Sequence, residues 1–166
     1  MKISVVTAVF NREGTIAEAL ASVAAQSYPH VEHVVQDGGS TDRTAQIVAD
    51  TGRSAVLFES AQDGGLYDGI NKGILRTTGD VVGLMHSDDL FAGPDVLTWV
   101  AEALQNPEFD GVYGDLDYVA ADNTARVIRK WRSGEYDARR LRAGWMPPHP
   151  TVYLRREVFD RLGLCD

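Results

Sequence analysis

The sequence has little cysteine and no long apolar run. Among its 166 residues only Cys165 carries a thiol, so no disulfide can form within the chain, which fits a reducing cytoplasm. No run of about 18 or more apolar residues is present, so no membrane-spanning helix is predicted. Met1-Lys2 leads directly into a strand-like run, without the pattern of a signal peptide.

Positive charge is also scarce. The chain has 16 Lys and Arg against 24 Asp and Glu, a net charge of -8, which argues against a nucleic-acid-binding protein. The charge is uneven, because residues 1–125 carry -13 and residues 126–166 carry +5. The basic part could face an anionic acceptor or an anionic membrane surface, or it could be a solvated face paired with the acidic part.

Several well-known motifs are missing. No G-x-G-x-x-G follows the first apolar run and no G-x-x-x-x-G-K-[ST] occurs, which disfavours dinucleotide enzymes and P-loop ATPases. A serine nucleophile elbow, H-E-x-x-H and C-x-x-C are absent as well. The function must therefore be inferred from residues outside these motifs.

The first two-thirds of the chain alternates predicted strands and helices. This order predicts an α/β fold with a mostly parallel sheet covered on both faces, and the length and 44% hydrophobic content suit one domain. The predicted strands are Ile3–Phe10, Val31–Val35, Ala55–Phe58 and Val81–Met85. The predicted helices are one opening with a capping box at Thr15-Ile16-Ala17-Glu18, one ending near Gly52, one over Leu66–Arg76 and one from Pro94 to about Leu104.

The pattern changes after Asn106-Pro107. Gly111–Ala121 and Ala125–Trp131 are predicted as two strands joined by an Asp122-Asn123 turn, which makes an antiparallel hairpin. A short helix is expected near Arg156–Leu162.

Polar residues follow three of the predicted strands. Asn11-Arg12, Asp37 and Asp88-Asp89 are expected to meet at one edge, because ligands of open α/β sheets bind beyond the carboxyl ends of the strands. Two adjacent acids repel each other unless a cation lies between them or they reach solvent. A hard divalent ion with oxygen ligands would leave room for phosphate oxygens, so the pair indicates a metal-bound diphosphate; an acidic turn is the alternative.

The motifs occur in a characteristic order: Thr7–Arg12, Val35–Asp42, Asp63–Gly73, Thr78–Asp80 and Ser87–Asp89. This order resembles glycosyltransferase family 2, whose GT-A fold is a Rossmann-like, mostly parallel sheet flanked by helices, followed by an acceptor region. Gly144–Thr151 also resembles a segment of bacterial members that build cell-surface polysaccharides. The resemblance covers nearly the whole chain.

The resemblance implies a metal-dependent transfer of sugar from a nucleotide-diphosphate donor, expected to be a UDP-sugar, to a hydroxyl of a saccharide or lipid-linked acceptor. It implies inversion at the anomeric carbon, Mn²⁺ or Mg²⁺ as the cofactor, and peripheral membrane contact if the acceptor is lipid-linked. Residues 1–107 would form the nucleotide-sugar-binding half, and residues 108–166 an incomplete acceptor-side half of the same domain.

The resemblance also assigns roles at the nucleotide. Asp37 would accept a hydrogen bond from a base N–H, expected to be uracil N3–H. Ala8 and Phe10 would line the base pocket, with Thr7 in the same motif, and Arg12 would lie near the nucleotide. For Phe10 a place in the core is an open alternative, and for Arg12 an exposed position.

The acidic pair resembles the D-x-D motif of the family with Ser87 in the first position. Asp89 would bind the metal, and Asp88 would contact the ribose or share the metal. Because Ser87 supplies no carboxylate, water and the diphosphate would complete the metal's shell.

Three polar residues of the Gly-rich segment complete the implied donor site. Asp68, Asn71 and Lys72 share one helical face at spacings of three and four residues. This face would contribute to the donor site, or it is an ordinary exposed polar face.

The catalytic base is the weakest part of the match. In the family it follows a Gly-x-x-Asp/Glu stretch, and here Gly163–Asp166 stands at the end of the sequence, so we expect either a fragment or a base elsewhere. Asp115 and His149 are the candidates within the chain. Asp115 could instead be a polar hairpin residue, and His149 an extra metal ligand or part of a surface turn.

Two other functions stay open. One is a truncated or degenerate module that binds a nucleotide-sugar without transferring it. The other is a nucleotidyltransferase, for which Asn11–Gly14 is a poor version of the Gly-rich, Lys/Arg-bearing loop that grips a triphosphate.

Overall fold

The structure, a computed structural model, describes residues 1–51 and 56–165. Its strands are β1 (Ile3–Val9), β2 (Val31–Asp37), β3 (Val56–Ser60), β4 (Val81–Leu84), β5 (Gly111–Val112), β6 (Leu116–Ala120), β7 (Asn123–Trp131) and β8 (Tyr153–Arg155). Its helices are α1 (Ile16–Ala24), α2 (Thr44–Asp50), α3 (Leu66–Arg76), α4 (Val96–Ala103), α5 (Ala138–Arg142) and α6 (Arg156–Leu162), with a 3₁₀ turn at His149–Thr151.

Six strands form one sheet in the order β3-β2-β1-β4-β8-β5. The first four are parallel to one another, and β8 is antiparallel to both of its neighbours. The mostly parallel α/β sheet predicted from the sequence is therefore confirmed. Strands β6 and β7 form a separate antiparallel pair.

Strand β1 lies in the middle of the sheet, between β2 and β4. All seven of its residues are buried because helices cover both faces of the sheet. Helices α1 and α4 pack on one face and helix α3 packs on the other. The first face includes Ile3, Val5, Val23, Val81, Met85, Leu97, Val100 and Tyr153. The second face includes Val6, Ala8, Val34, Ile70, Ile74, Val82 and Leu84.

A glycine sets how closely α3 approaches the sheet. A Cβ on Gly73 would lie 2.4 Å from Val6 Cγ1, so only glycine allows this separation. This contact brings the start of α3 over the carboxyl ends of the strands.

The predicted capping box is wrong. The Thr15 side chain makes no capping hydrogen bond, and its hydroxyl is buried without a partner among the described residues. The backbone at Thr15 has φ -128° and ψ -27°, which is not the extended conformation of a capping residue. Arg12 O already accepts the N–H groups of Thr15 and Ile16, so the turn begins earlier.

The predicted strand Gly111–Ala121 is divided in two. Gly111–Val112 joins the main sheet beside β8, and the chain then leaves the sheet to pair Leu116–Ala120 with β7. Strand β7 begins at Asn123, two residues before the predicted start at Ala125, and the turn lies at residues 121–122, one residue before the predicted Asp122-Asn123 turn.

Strand β8 is not anticipated by the sequence pattern. It is only three residues long, and Tyr153 packs on β4 at a place where a Cβ on Gly83 would lie 2.1 Å from the ring. The contact is tertiary and leaves no periodic signal.

Most other boundaries agree with the prediction, and α3 and α6 agree to the residue. Helix α4 is shorter than predicted, and β2 extends to Asp37. The predicted helix end at Gly52 and strand start at Ala55 lie outside the described residues. Among the described residues no helix is both long and apolar enough to cross a membrane.

Candidate functional site

The carboxyl ends of β2, β1 and β4 lie side by side at one edge of the sheet. We call this the strand-end edge. The strand order confirms that the segments after these three strands meet there. The first two are also linked directly, because Asn11 N–H donates to Ser40 Oγ at 2.8 Å and Asn11 Oδ1 accepts Thr41 N–H at 2.9 Å. Asn11 adopts a positive φ of 50°, which an asparagine tolerates better than most residues.

Asp37 is the last residue of β2 and is fully buried. Its carboxylate accepts the Ser40 N–H at 3.0 Å and the hydroxyls of Ser40 and Ser60. These bonds hold the carboxylate in one orientation at the strand-end edge. Because Asp37 has no exposed surface, a ligand N–H group could reach this carboxylate only if the Ser40 or Ser60 hydroxyl moved aside.

Asp63 lies against Gly38, the residue after Asp37, and is not among the predicted site residues. Its Oδ1 accepts Gly65 N–H at 2.9 Å. Its Oδ2 occupies a niche in which a Cβ on Gly38 would lie 2.7 Å away and a Cβ on Gly69 2.9 Å away. Asp63 is the first residue of the Asp63–Gly73 motif, but its place against Gly38 and Gly69 depends on how these glycines meet in three dimensions, which the sequence does not show.

The predicted nucleotide residues of β1 fall in different surroundings. Ala8 lies beneath Gly69, because a Cβ added to Gly69 would be 3.4 Å from the Cβ of Ala8. Phe10 lies beyond the end of the strand and is 55% exposed. Arg12 is exposed, and its backbone N–H donates to Thr44 Oγ1 at 2.7 Å. The structure does not bring the Thr7 hydroxyl to the edge, because Thr7 is fully buried with Oγ1 2.9 Å from His33 Nε2.

The acidic pair follows β4. Ser87 is buried, Asp88 is exposed and Asp89 is partly buried. Burial raises the pKa of Asp89, the nearby His86 lowers it, and the charge of Asp88 raises it further. Among the described residues, no group donates a hydrogen bond to either carboxylate. Both carboxylates are thus available to a ligand.

The three predicted residues of α3 have other partners. Lys72 Nζ lies 2.8 Å from Asp68 Oδ2, and this hydrogen bond and the Gly64 N–H lower the pKa of Asp68. Asn71 donates to Cys165 O at 2.7 Å and accepts Cys165 N–H at 3.0 Å. Asp68 in the first turn of α3 therefore pairs with Lys72 one turn later, whereas Asn71 holds the C-terminal segment at Cys165.

His149 reaches the strand-end edge from the distant 3₁₀ turn. Its ring centroid is 5.8 Å from that of His86 and 6.4 Å from that of Tyr67. Partial burial lowers the pKa of His149, and His86 lowers it further. The imidazole is accessible to solvent, and its lowered pKa favours the neutral form, which can accept a proton.

Asp115 lies in the link between β5 and β6. Its Oδ1 accepts Ser133 N–H at 2.9 Å, and its Oδ2 is 3.5 Å from Arg132 Nη1. The neighbouring Gly114 carbonyl accepts the Thr151 hydroxyl at 3.1 Å, so this link adjoins the turn that carries His149. Asp115 is held mainly by the base of the hairpin.

The side chains at the strand-end edge determine whether a metal ion could be coordinated there. Within the described ranges, no three His, Cys, Asp or Glu side chains are grouped to hold a metal ion by themselves. Asp89 nevertheless offers a partly buried carboxylate without a hydrogen-bond donor, which is a suitable single ligand for a hard cation. Such a cation would need most of its ligands from phosphate and water.

Comparisons with known proteins agree with the sequence resemblance. The model of glycosyl transferase family 2 matches residues 4–163. An uncharacterized glycosyltransferase of Mycobacterium tuberculosis is 39% identical over 166 residues, 99% of this chain and 62% of that protein. The chain thus spans less than two-thirds of this relative's length.

Two solved structures have the same fold. The mannosyltransferase PcManGT from Pyrobaculum calidifontis, in complex with GDP-Man and Mn²⁺, superposes with a TM-score of 0.75 at 22% identity, over 99% of this chain and 47% of that one. S. aureus TarS 1-349 in complex with UDP-GlcNAc gives 0.74 at 22% identity, over 97% and 47%. The likeness supports the GT-A fold.

Proposed function

Because the chain belongs to glycosyl transferase family 2, we propose that it binds a nucleoside diphosphate sugar at the strand-end edge and transfers the sugar to an acceptor hydroxyl. The observation that carries this proposal is the convergence of Asp37, the acidic pair and His149 at that edge. Three segments distant in the sequence there present a fixed acceptor, two free carboxylates and an imidazole. The M. tuberculosis relative named as a glycosyltransferase supports the same class of reaction.

We propose UDP as the nucleotide. Asp37 would accept uracil N3–H after the Ser40 or Ser60 hydroxyl moves aside, since its carboxylate is fully covered and is held at the strand end by these two residues. Ala8 and Phe10 would lie beside the base, and Asp63 would border it from the niche at Gly69. TarS has the same fold in complex with UDP-GlcNAc and PcManGT in complex with GDP-Man, so the choice of UDP depends on the proposed contact with Asp37.

Asp89 would hold Mn²⁺ or Mg²⁺, with Asp88 next to the ribose or the metal. A bound divalent ion would neutralise charge that grows on the leaving diphosphate. The Mn²⁺ in the PcManGT complex supports a metal-dependent site. Lys72, in the middle of α3, would contribute a positive charge to the donor site, although it is paired with Asp68.

The proton of the acceptor hydroxyl needs a base. The new bond joins the acceptor oxygen to the anomeric carbon, the bond from that carbon to the diphosphate breaks, and the acceptor proton passes to the base. We propose His149 as the base in preference to Asp115. His149 lies at the strand-end edge beside His86. Asp115 already accepts a hydrogen bond from Ser133 and lies close to Arg132. Inversion at the anomeric carbon and a role in cell-envelope polysaccharide synthesis belong to the same proposal.

Turnover separates transfer from binding alone. The 166-residue chain is incubated with a panel of UDP- and GDP-sugars, Mn²⁺ and saccharide acceptors, and release of nucleoside diphosphate is measured. Release that depends on the acceptor supports a transferase. Tight UDP binding with no release under any condition would favour the module that binds nucleotide-sugar without transfer.

A further inference from the structure

The β6–β7 hairpin stands apart from the main sheet and presents a long exposed surface. Strand β7 is exposed from Asn123 to Lys130, and the apolar side chains Ile128 and Tyr118 are 69% and 44% exposed. Two strands without a supporting layer are marginally stable in water. An exposed apolar surface on such an element indicates an interaction site.

Cations without carboxylate partners surround these apolar side chains. The Arg129 guanidinium lies 5.5 Å from the centroid of the Tyr118 ring and 5.8 Å from that of Trp131. In the described part of the chain, the Lys130 side chain has neither an ion pair nor a hydrogen bond, whereas Arg126 is paired with Asp122 at 2.8 Å. The hairpin thus combines aromatic rings with two cations, Arg129 and Lys130, that have no carboxylate partner among the described residues.

The segment that follows β7 continues this composition. Residues 132–146 carry four Lys and Arg and two Asp and Glu, a net charge of +2, and residues 116–146 together carry +3 while the rest of the chain carries -11. Tyr136 is 64% exposed and Met146 67% exposed on the two sides of α5. Arg140 links the segments on the two sides of α5, since it donates to Glu135 O at 3.2 Å and its guanidinium lies 4.7 Å from the centroid of the Trp145 ring.

The charges decide between partners. Antiparallel pairing of β7 with β7 of a second copy would bring Arg126, Arg129 and Lys130 near their equivalents, and like charges across strands are destabilising. An anionic bilayer instead attracts basic groups and accepts aromatic and aliphatic side chains at its interface. The strongly acidic remainder of the chain would face away from such a surface.

We propose that the hairpin and the segment through Met146, together the basic hairpin surface, dock the protein on an anionic phospholipid bilayer. The bilayer charge contacts Arg129, Lys130 and Arg142, and Ile128 and Tyr136 enter the interface. This proposal goes beyond sugar transfer and does not depend on it. Its orientation places the acceptor-side part of the chain next to the membrane.

Vesicle sedimentation tests the proposal. The 166-residue chain is mixed with vesicles of phosphatidylcholine alone or with added phosphatidylglycerol, and the bound fraction is measured at rising salt concentration. We expect binding only to the vesicles with phosphatidylglycerol and release by salt. Replacing Arg129 and Lys130 together with glutamine should weaken binding by about 10- to 30-fold, because each basic group near the surface contributes about fivefold.

The matched control removes the same number of positive charges at another part of the surface. The double variant Arg43→Gln/Arg161→Gln removes two exposed arginines outside the basic hairpin surface and should change vesicle binding by less than about threefold. Ile128→Ser should weaken binding even at low salt. Circular dichroism and UDP calorimetry on each variant establish that the fold and the nucleotide site are intact.

Three results would overturn the proposal. The chain could bind both kinds of vesicle equally, the Arg129→Gln/Lys130→Gln variant could bind like its control, or the hairpin changes could dissociate a dimer seen by light scattering without affecting vesicle binding. None of these results concerns nucleotide binding or turnover, so the proposed sugar transfer is tested independently of the membrane proposal.

Discussion

The imidazole rings of His86 and His149 lie 5.8 Å apart, although one follows β4 and the other belongs to the 3₁₀ turn near the end of the chain. Tyr67 at the start of α3 is 6.4 Å from His149 on another side. Three distant segments therefore enclose one histidine beside the acidic pair. This arrangement makes His149 the first residue to test for proton transfer.

Replacement of His149 by alanine should lower turnover by about 10²–10⁴-fold, the usual contribution of a general base. UDP affinity should change by less than about threefold, because the proposed contacts of His149 are with the acceptor rather than the nucleotide. Initial rates of UDP release and UDP calorimetry measure the two effects. His30→Ala removes an exposed histidine elsewhere and serves as the control; equal rates in the two variants would exclude His149 as the base.

Asp37 should be needed both for folding stability and for nucleotide binding. Asp37→Asn replaces one acceptor oxygen with a donor facing the hydroxyl or N–H groups of Ser40 and Ser60, so we expect about 1–3 kcal/mol lower free energy of unfolding. We also expect at least about tenfold weaker UDP binding.

Ser60→Ala separates these two effects. It removes one donor to Asp37 but leaves the carboxylate in place, and it should cost about 1 kcal/mol or less. UDP affinity should then stay within about threefold of the unchanged protein. If Ser60→Ala weakened UDP binding as much as Asp37→Asn did, the Asp37 effect would be structural rather than a direct contact.

Two glycines of α3 should respond differently to alanine. In Gly69→Ala the new Cβ meets the flexible Asp63 carboxylate, at 2.9 Å, so the protein should fold and the displaced carboxylate should weaken UDP binding about tenfold. In Gly73→Ala the new Cβ meets Val6 at 2.4 Å inside the core, so overpacking should lower stability by about 1–3 kcal/mol. Thermal unfolding and calorimetry distinguish the two, and a reversed order would contradict the packing described for α3.

Acid should destabilise the fold in two steps. Burial lowers the pKa of His33 from 6.5 to about 4, so the unfolded chain binds more protons and stability falls as the pH drops through this range. Burial raises the pKa of Glu32, but hydrogen bonds from Lys2, Ser4 and Thr78 outweigh it and the pKa falls from 4.5 to about 2. The Glu32 contribution is therefore complete above pH 4.5 and is lost only below it.

Urea unfolding between pH 6.5 and 4.5 isolates the His33 step. The unchanged protein should lose on the order of 2 kcal/mol more than His33→Gln over this range, because glutamine does not titrate. If the free energy of unfolding fell equally with pH in the two proteins, the result would show that His33 takes up no proton on unfolding.

The sequence predicts the central part of the fold well because that part has local signals. The apolar runs of β1 and β4 and the amphipathic α3 are visible from residue pattern alone. Strand β8 is not visible, because its place depends on the fit of Tyr153 over Gly83, and neither is the break in the strand after Val112. Thr15 and Glu18 match the capping pattern, yet the backbone of Thr15 prevents the bond.

The same division applies to the site. Asp37 and the acidic pair stand at strand ends, so their meeting at one edge could be inferred from topology. The niche that places Asp63 beside Gly38 and Gly69 could not, because it exists only where two glycines from different elements face each other. The burial of Thr7 against His33 likewise follows from strand alternation in three dimensions and not from its motif.

Metal-dependent UDP binding tests the central claim most directly. Calorimetry with UDP in the presence and absence of Mn²⁺ is carried out on the unchanged chain, on Asp89→Ala and on the exposed control Asp160→Ala. We predict that Mn²⁺ strengthens UDP binding at least about tenfold in the unchanged chain and the control, and that Asp89→Ala abolishes this gain. An equal gain from Mn²⁺ in Asp89→Ala would contradict the account.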